Sequence, residues 1–547
     1  MNKNVIIALV LVFLVLFISS RLLYPPQPVS PPPQEQQTAS EAGQEIQAES
    51  IEKEQQPISL QPHIPILEEG GEIEIHENIV LENDTIKVIF TNKGGAIKQV
   101  YLKNIFRQKQ TKGEPVPLIL DDKGLLNLTL LTESNSIDFS NYIFQYEVEN
   151  GRVEFFIESD GGKIIQKIFT LKQGYEIAMD VKTANLGTVY SYDLLMDTGV
   201  YFDQNGDKRY QNYIKAMAQI NGKIEKVELK DAVEGRSLYG NIDWAAIKSK
   251  YFVLAAIPEK RMDVQEIKVF ADGDTIMQVL EVEVDRRAVD HHFDFYLGPV
   301  DYDNLVAYGI GLENTVDLGW SILRPISRLI LQLLIFLHSL IPNYGVAIIL
   351  LAIIIKLIFF PLTRKSVHST QRMQKMQELQ PIVQEIQRKY KDTPQKAQQE
   401  VMKLYKEHGV NPLSGCAGGC LPLLLQMPIL FALYPVLQST IELRHAEFAL
   451  WIKDLSVPDP YYILPIVMGI SMFLQQKLLS PQPSDKMTEQ QKAQMRTQRM
   501  MMYFMPIFLV FIFLSLPAGL VLYWLFYNIF SIFEQVTIRR RMQEKAQ

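Results

Sequence analysis

Cysteine is nearly absent from this chain of 547 residues, which contains only Cys416 and Cys420. A disulfide framework is therefore excluded for the long segment that precedes them. Cys416 and Cys420 supply only two of the four ligands of a tetrahedral zinc site. We therefore interpret the segment around them as a turn of small residues. The net charge of −7 is small and gives no indication of nucleic-acid binding.

Sequence signals for enzymatic chemistry are also missing. The sequence contains no GxxxxGK[ST] pattern for binding phosphate, and the first 340 residues offer no catalytic constellation. His291 and His292 are adjacent in a strand-like run, so their side chains point to opposite faces, which disfavours a shared metal. We therefore expect no enzyme, no cofactor and no metal site.

The chain begins with an apolar run from Val5 to Ile18, preceded by Lys3. No small-x-small cleavage site follows, and residues 21–24 extend the run toward the ~20 residues that a membrane span needs. We predict an uncleaved anchor over residues 1–24, with a cleaved signal peptide as the alternative. Pro, Gln, Glu and Ser dominate residues 25–60, which indicates a solvated linker.

Residues 61–318 are predicted to form one large β domain. Segments such as Thr85–Phe90 and Tyr142–Val148 are rich in β-branched and aromatic residues, and turn sequences such as Asn92–Gly95 separate them. Many strands at short spacing are typical of a β-sandwich. The domain is long enough to bury a core of its own.

Residues 319–341 predict an amphipathic helix that lies in the membrane interface, because their polar side chains share one helical stripe. A membrane span is the alternative, which two arginines and a proline disfavour. Long apolar runs follow within residues 342–538. Together with the N-terminal anchor they give six predicted membrane crossings. The five later spans are expected near residues 344–363, 421–441, 461–478, 501–516 and 518–538.

Lysine and arginine cluster in the segments on one side of these spans. Residues 364–415, 477–500 and the tail 539–547 are all rich in them. Positive residues mark the cytoplasmic side, so both termini are expected in the cytoplasm of a multi-pass inner-membrane protein. The β domain then faces outward.

Lys356 lies inside the apolar run of the first of these five spans. A charge there costs ~2.5–3.5 kcal/mol on insertion scales, so a functional role is expected. Snorkelling to the cytoplasmic end, roughly 10 Å away, is the alternative. We expect no acidic partner for Lys356 within the spans.

Gln426 and Asn528 also lie at central or cytoplasmic depth in their spans. Polar groups in lipid need partners or water. We therefore expect a water-accessible groove that is open to the cytoplasm and closed on the outer side. Hydrogen bonding between helices is the alternative for both residues.

Residues 366–409 predict a cytoplasmic helical hairpin, because their apolar residues recur at three- and four-residue spacing. Met373 and Met376 lie in this hairpin, and Met495 and Met500 lie in the neighbouring cytoplasmic loop. Methionine surfaces adapt to varied apolar partners. Contact with hydrophobic clients and plain packing between the two helices both remain open.

The run from residue 317 to 538 resembles the YidC-type membrane protein insertases. The outer β domain is similar, by position and strand pattern, to the periplasmic domain of Gram-negative members, a β-sandwich related to sugar-mutarotase folds. The matching motifs are VDLGW (316–320), FFPLT (359–363), VNPL (410–413), LPLLLQMPI (421–429), FALWIKDLS (448–456), DPYYILPI (459–466) and PAGLVLYW (517–524).

The resemblance implies a five-span insertase core that inserts and folds membrane proteins, alone or with the Sec translocon. Nascent membrane proteins, the ribosome and the lipid bilayer are the implied partners. The implied substrate groove carries one basic residue, and its members here are Lys356, Gln426, Tyr523, Trp524 and Asn528. A secondary transporter, which needs inverted repeats, and an envelope scaffold are the alternative functions.

Two features depart from the family pattern. Many members have Arg where Lys356 stands, and Lys lacks the guanidinium fork that binds a carboxylate in bidentate fashion. Simple attraction of an acidic client remains. The CAGGC segment at residues 416–420 is longer than the usual Gly-Gly-Cys before Leu-Pro.

Overall fold

The computed structural model describes most of the chain after residue 73. The described residues are 74–106, 115–132, 136–159, 162–184, 189–196, 211–260, 263–284, 289–409, 412–479, 500 and 503–544. The predicted anchor over 1–24 and the linker over 25–60 lie outside them.

Within these residues the β domain contains antiparallel strands in three sheets. The sheet orders are β1-β2-β3-β4, β13-β12-β15-β16-β19-β10-β9-β8-β7 and β14-β17-β18-β11-β5-β6. The strands are β1 (Ile79–Glu82), β2 (Ile86–Thr91), β3 (Ala96–Phe106), β4 (Pro115–Leu125), β5 (Asn127–Thr132), β6 (Ser136–Asp138), β7 (Gln145–Glu149), β8 (Arg152–Ser159), β9 (Gly162–Leu171), β10 (Glu176–Thr183), β11 (Val189–Met196), β12 (Lys215–Ile220), β13 (Lys223–Glu228), β14 (Arg236–Tyr239), β15 (Ile242–Lys248), β16 (Phe252–Pro258), β17 (Val264–Asp272), β18 (Thr275–Glu283) and β19 (Asp290–Pro299).

The three sheets share one apolar core, which confirms the predicted β-sandwich. Phe90 of β2 lies 5.0 Å from Phe169 of β9, measured between ring centroids, and both side chains are fully buried. Strand β18 buries alternate residues, as expected for a strand with one face on the core. Strand β15 is buried along its whole length, because Trp244 and Ala246 on its second face pack against the helical part.

The helical part follows the β domain. Its helices and the two short ones before it are α1 (Leu229–Ala232), α2 (Tyr302–Val306), α3 (Arg324–Leu340), α4 (Tyr344–Glu378), α5 (Gln380–Lys389), α6 (Pro394–Glu407), α7 (Pro412–Ser439), α8 (Ile463–Leu479), α9 (Tyr503–Phe513) and α10 (Ala518–Glu544). By length and hydropathy, Tyr344–Arg364 and Ala518–Ile538 qualify as membrane spans, while Ile463–Leu478 and Tyr503–Phe513 are shorter apolar helices.

Helix boundaries differ from the sequence predictions in several places. Helix α4 continues to Glu378 and so includes the first part of the predicted hairpin 366–409. Helix α7 begins at Pro412, so the CAGGC segment is helical and the predicted turn is wrong. Helix α10 continues through Arg539–Arg541 to Glu544, so most of the predicted basic tail extends the last helix. The charged residues of the tail favour helix, whereas the two glycines of CAGGC disfavour it, so α7 begins there against the local propensity.

The helices pack as a bundle around α4. Helix α4 contacts α7 and α10, and α10 also contacts α8. The side chains of Leu351, Leu433 and Val521, from α4, α7 and α10, are fully buried at these seams. Between apolar helices of this kind, close van der Waals packing holds the seam, because surrounding lipid would be as apolar as the neighbouring helix.

Helices α5 and α6 form a hairpin beyond the end of α4. Pro394 at the start of α6 has the fixed backbone angle that favours a first helical turn. Leu379, Val383 and Tyr405 make a small apolar cluster between the two helices. Packing therefore uses part of the apolar stripe, whereas Met402 remains 44% exposed.

Helix α3 joins the β domain to the bundle through its polar stripe. The Arg324 guanidinium donates to Asn314 Oδ1 at 2.8 Å, and Arg328 lies 4.6 Å from the centre of the Tyr302 ring. On other sides of α3, Leu329 and Phe336 are 65% and 57% exposed. An exposed apolar flank beside an anchored polar stripe suits a helix at a membrane surface.

Candidate functional site

Lys356 lies on α4 with its side chain only 11% exposed. Its Nζ is 3.2 Å from Glu534 Oε2 on α10 and donates a hydrogen bond to it. The same ammonium lies 4.1 Å from the centre of the Tyr527 ring, also on α10. The side chain thus ends on a neighbouring helix, and the snorkelling alternative does not describe its position.

Our expectation that Lys356 has no acidic partner in the spans is wrong. Glu534 is that partner, and its side chain is 7% exposed. The sequence analysis missed Glu534 because this residue closely follows the apolar run of the last span, in FSIFEQV. A charged residue at that place is typical of the cytoplasmic end of a span. A signal was available: Tyr527 and Glu534 are seven residues apart, which places them on one helix face.

Gln426 and Tyr523 extend this polar centre toward the outer side. Gln426 is 7% exposed on α7 and lies next to the Tyr523 hydroxyl on α10. Tyr523 is fully buried, and its ring centroid is 6.0 Å from that of Tyr527. Gln426, Tyr523, Tyr527 and Lys356 therefore form a continuous row of contacts between three helices.

Asn528 and Trp524 lie on other faces of α10. Asn528 is 3% exposed, and its Nδ2 donates to Ser471 Oγ on α8 at 3.3 Å. Trp524 packs on Phe513, with ring centroids 5.5 Å apart, and on Tyr527 at 6.5 Å. The structure therefore brings Lys356, Gln426 and Tyr523 together, while Asn528 makes an interhelical hydrogen bond at a separate seam.

The polar centre contains no metal-binding arrangement. Among the residues that the structure describes, no three His, Cys, Asp or Glu side chains converge in a way that could hold an ion. The chemistry on offer is one ammonium, one carboxylate, amides and phenol hydroxyls, which suits binding and charge attraction rather than bond cleavage.

Comparisons with known proteins account for both parts of the chain. Residues 78–333 match the model of the YidC periplasmic domain, and residues 336–545 match that of the 60Kd inner membrane protein. A membrane protein insertase YidC from Syntrophus aciditrophicus is 33% identical over 99% of this chain and 100% of its own length. The chain belongs to the YidC family.

Other known proteins are also similar to this chain. The membrane protein insertase YidC of Geotalea daltonii is also 33% identical, over 99% of this chain and 100% of that protein. A crystal structure of an active YidC insertase with its first transmembrane domain resolved is 20% identical, covers 85% of this chain and 93% of its own, and has a TM-score of 0.35. A putative aldose 1-epimerase from Escherichia coli covers 41% of this chain and 100% of its own, at 8% identity and a TM-score of 0.28.

Family membership makes this chain an inner-membrane protein with a periplasmic domain, and the β domain is that domain. The YidC motifs FALWIKDLS and DPYYILPI form a hydrogen-bonded cap at the end of the bundle that contacts the β domain. Asp459 accepts hydrogen bonds from the Trp451 indole at 3.0 Å and from the Leu464 amide at 2.7 Å. Tyr251 of the β domain donates to Ser456 in this cap at 3.0 Å.

The methionines that were predicted to contact clients are described only in part. Met373 and Met376 lie in the helical extension of α4, but their side chains are outside the described part, as is all of Met495. Met500 is 69% exposed. Met500 is thus available on the surface of the YidC bundle.

Proposed function

We propose that this chain inserts and folds membrane proteins in the inner membrane, using the polar centre around Lys356 to receive a client's polar flank. The observation that carries the proposal is a buried ammonium between two helices of a chain that is 33% identical, end to end, to membrane protein insertases. An intramembrane charge marks a functional pathway by default. No catalytic step is required, because partitioning of the client supplies the energy.

The proposed path starts at the cytoplasmic hairpin. A client's hydrophobic segment meets Met402 of the hairpin and the methionines of the adjoining segments, at positions 373, 376, 495 and 500. Its short polar flank then enters the centre, where Lys356 attracts acidic residues. The apolar segment finally moves sideways into lipid, which gains roughly 25 cal/mol for each Å² of apolar surface buried.

The proposed topology has six crossings, with both termini in the cytoplasm. Two helices meet the length and hydropathy of a span by themselves, and the basic segments at 364–415, 477–500 and 539–547 supply the orientation. Single cysteines at positions 380 and 490 should react with an impermeant thiol reagent from the cytoplasm only, and one at position 200 from the periplasm only. Labelling of position 380 from the periplasm would overturn this map.

The ribosome and the Sec translocon are proposed as partners in addition to nascent membrane proteins. The hairpin helices support the first proposal, because Arg388 and Lys389 stand on their exposed cytoplasmic surface. Charge attraction to ribosomal RNA depends on salt. Co-sedimentation of the chain with ribosomes should therefore weaken as the salt concentration rises.

Photocrosslinking tests the polar centre directly. A crosslinker at Gln426 should capture a stalled client segment more often than one at Leu357. Leu357 is the matched control, because it follows Lys356 at nearly the same depth but is 67% exposed. Equal capture at both positions would show that clients pass along the lipid-facing surface instead.

Glu534 supplies a buried carboxylate of the kind that a proton-coupled secondary transporter needs, so this alternative function requires a direct test. Depletion separates the two functions. An insertase leaves its client membrane proteins uninserted when it is depleted, whereas loss of a transporter leaves membrane insertion intact. An envelope scaffold also leaves insertion intact.

A further inference from the structure

The Lys356–Glu534 pair gives the polar centre a net charge of zero before any client arrives. Both side chains are buried, at 11% and 7% exposure, with Nζ and Oε2 3.2 Å apart. A client carboxylate that approaches Lys356 therefore also approaches a negative charge of the protein. Attraction and repulsion act together at this distance, in a site that water screens poorly.

The Glu534 carboxylate is only partly hydrogen-bonded. Among the described residues, Glu534 Oε1 has no hydrogen-bond partner. Within that part of the chain, Lys356 is therefore the only group that donates a hydrogen bond to this carboxylate. A buried carboxylate with a single partner is held less firmly than one with two or three.

The Lys356 ammonium has hydrogen-bond donors available for a second carboxylate. A lysine carries three donors on a flexible stem. One donor is used by Glu534, and the Tyr527 ring face, 4.1 Å away, stabilises the positive charge without supplying an acceptor oxygen. An incoming carboxylate can therefore exchange with Glu534 on the same nitrogen.

We propose that Glu534 is a specificity-determining residue that occupies Lys356 in place of a client carboxylate and so sets how strongly acidic flanks are preferred. It acts through Lys356, as a positioning residue. The proposal rests on the proposed insertion function. Glu534 lowers the preference for acidic flanks and keeps neutral flanks competitive, because a client must compete with it for the ammonium.

The test uses the full chain in liposomes and a set of single-span clients that differ only in carrying zero or two Asp residues in the translocated flank. The measurement is the ratio of protease-protected two-Asp client to protected zero-Asp client. Glu534→Gln should raise this ratio by roughly three- to tenfold, since it removes one nearby negative charge. Lys356→Gln should lower it below the wild-type value.

The double variant Lys356→Gln/Glu534→Gln guards against a simple folding defect, because removing both members of a buried pair disturbs a fold less than removing one. Its ratio should fall between those of the two single variants. Glu147→Gln is the matched control for charge, since Glu147 is exposed on β7 of the periplasmic domain, and its ratio should equal that of the wild type.

The outcomes separate the two proposals. If the wild-type chain protects neither client above empty liposomes, the insertion function itself fails. If the wild type inserts both clients but Glu534→Gln leaves the ratio unchanged, or lowers both clients by the same factor, Glu534 is only a structural counter-ion and the specificity proposal is wrong.

Discussion

The periplasmic domain and the helical bundle each bury a lysine, but they satisfy it differently. Lys167 in the β domain is fully buried and donates to two backbone carbonyls, Gly94 O at 2.9 Å and Leu126 O at 2.7 Å. Lys356 in the bundle donates to one side-chain carboxylate. Backbone acceptors fix the first lysine in place, whereas a side-chain acceptor can move and be replaced. The comparison distinguishes Lys167, which stabilises the fold, from Lys356, which is proposed to bind clients.

The largest effect is expected when Lys356 is replaced by Glu, because two carboxylates then face each other in a buried site. Breaking a buried pair in this way costs about 3–5 kcal/mol. Insertion of all clients should fall, and clients with acidic flanks should suffer most. Lys356→Arg should be tolerated because the charge is kept, and Lys356→Ala should lie between them. Protease protection of clients in liposomes measures each variant.

A charge exchange provides the control for this prediction. Glu534→Lys combined with Lys356→Glu restores one positive and one negative side chain at the same two positions, so membrane levels and insertion of neutral clients should recover. If the exchange fails to restore either, the loss in Lys356→Glu comes from the shape of the site rather than from its charge.

Lys167 should show its structural role in the dependence of stability on pH. Burial lowers the pKa of Lys167 to about 7 from its ordinary 10.5. The unfolded chain therefore binds more protons than the folded chain between these values, and the free energy of unfolding rises with pH across this window. Lys167→Met removes that rise, so the wild type should gain about 2–3 kcal/mol relative to the variant between pH 7 and 9.

Hydrogen exchange in β9 and β10 of the full chain measures this difference, since the wild type and the variant are compared at the same pH. Lys163→Met is the matched control, because Lys163 lies on the same strand but is half-buried and forms an ion pair with Glu154. It should follow the wild type at both pH values. A Lys167→Met protein whose exchange responds to pH as the wild type does would contradict a buried, partly neutral Lys167.

The sequence predicted the regular features of the fold because they depend on local patterns. Segments rich in β-branched and aromatic residues, separated by turn sequences, predicted the β-sandwich. Long apolar runs predicted the apolar helices. Lys356 and Gln426 stood out as polar residues within apolar runs, whereas Tyr523 was predicted from the family resemblance. The Lys356–Glu534 contact spans 178 residues of sequence, and no local pattern specifies which face of α10 meets α4. Glu534 was missed for that reason.

The predictions of a turn at CAGGC and of a separate basic tail were wrong for a related reason. Local propensity is a weak signal that the surrounding structure overrides, and the neighbouring helix continues through both segments, including the two glycines of CAGGC. Asn528 was grouped with Lys356 on depth alone, which fixes the position along the membrane normal. It leaves the face of the helix undetermined, and Asn528 instead contacts Ser471.

Asn528 and Ser471 should contribute a smaller effect than either lysine. A hydrogen bond between membrane helices contributes about 0.6 kcal/mol on average. Asn528→Ala should therefore lower the thermal stability of the bundle slightly and change insertion by less than about twofold. A double-mutant cycle with Ser471→Ala measures the coupling. Loss of insertion in Asn528→Ala at normal stability would place Asn528 in the client path.

The smallest effect on insertion is expected when the periplasmic domain is removed, because the polar centre and the hairpin lie after it. The position of the junction matters. Tyr302 and Asn314 hold the two arginines of α3, so joining residue 24 to residue 301 keeps both contacts, whereas joining it to residue 316 removes them. Ser456 loses Tyr251 in both cases but still donates to Asp454 Oδ1 at 2.6 Å.

We therefore expect the chain joined at residue 301 to insert clients within about twofold of the wild type, because each lost hydrogen bond contributes only about 1 kcal/mol and the polar centre is unchanged. Removing Trp244 and Ala246 also exposes apolar side chains that they cover, which lowers stability rather than altering the polar centre. The chain joined at residue 316 should reach lower membrane levels, since Arg324 and Arg328 lose their partners. Insertion is measured in liposomes at equal protein amounts, which removes the effect of expression. A chain joined at residue 301 that is present at normal levels but inserts no client would show that the periplasmic domain takes part in insertion, and the separation between a structural and a working region would have to be abandoned.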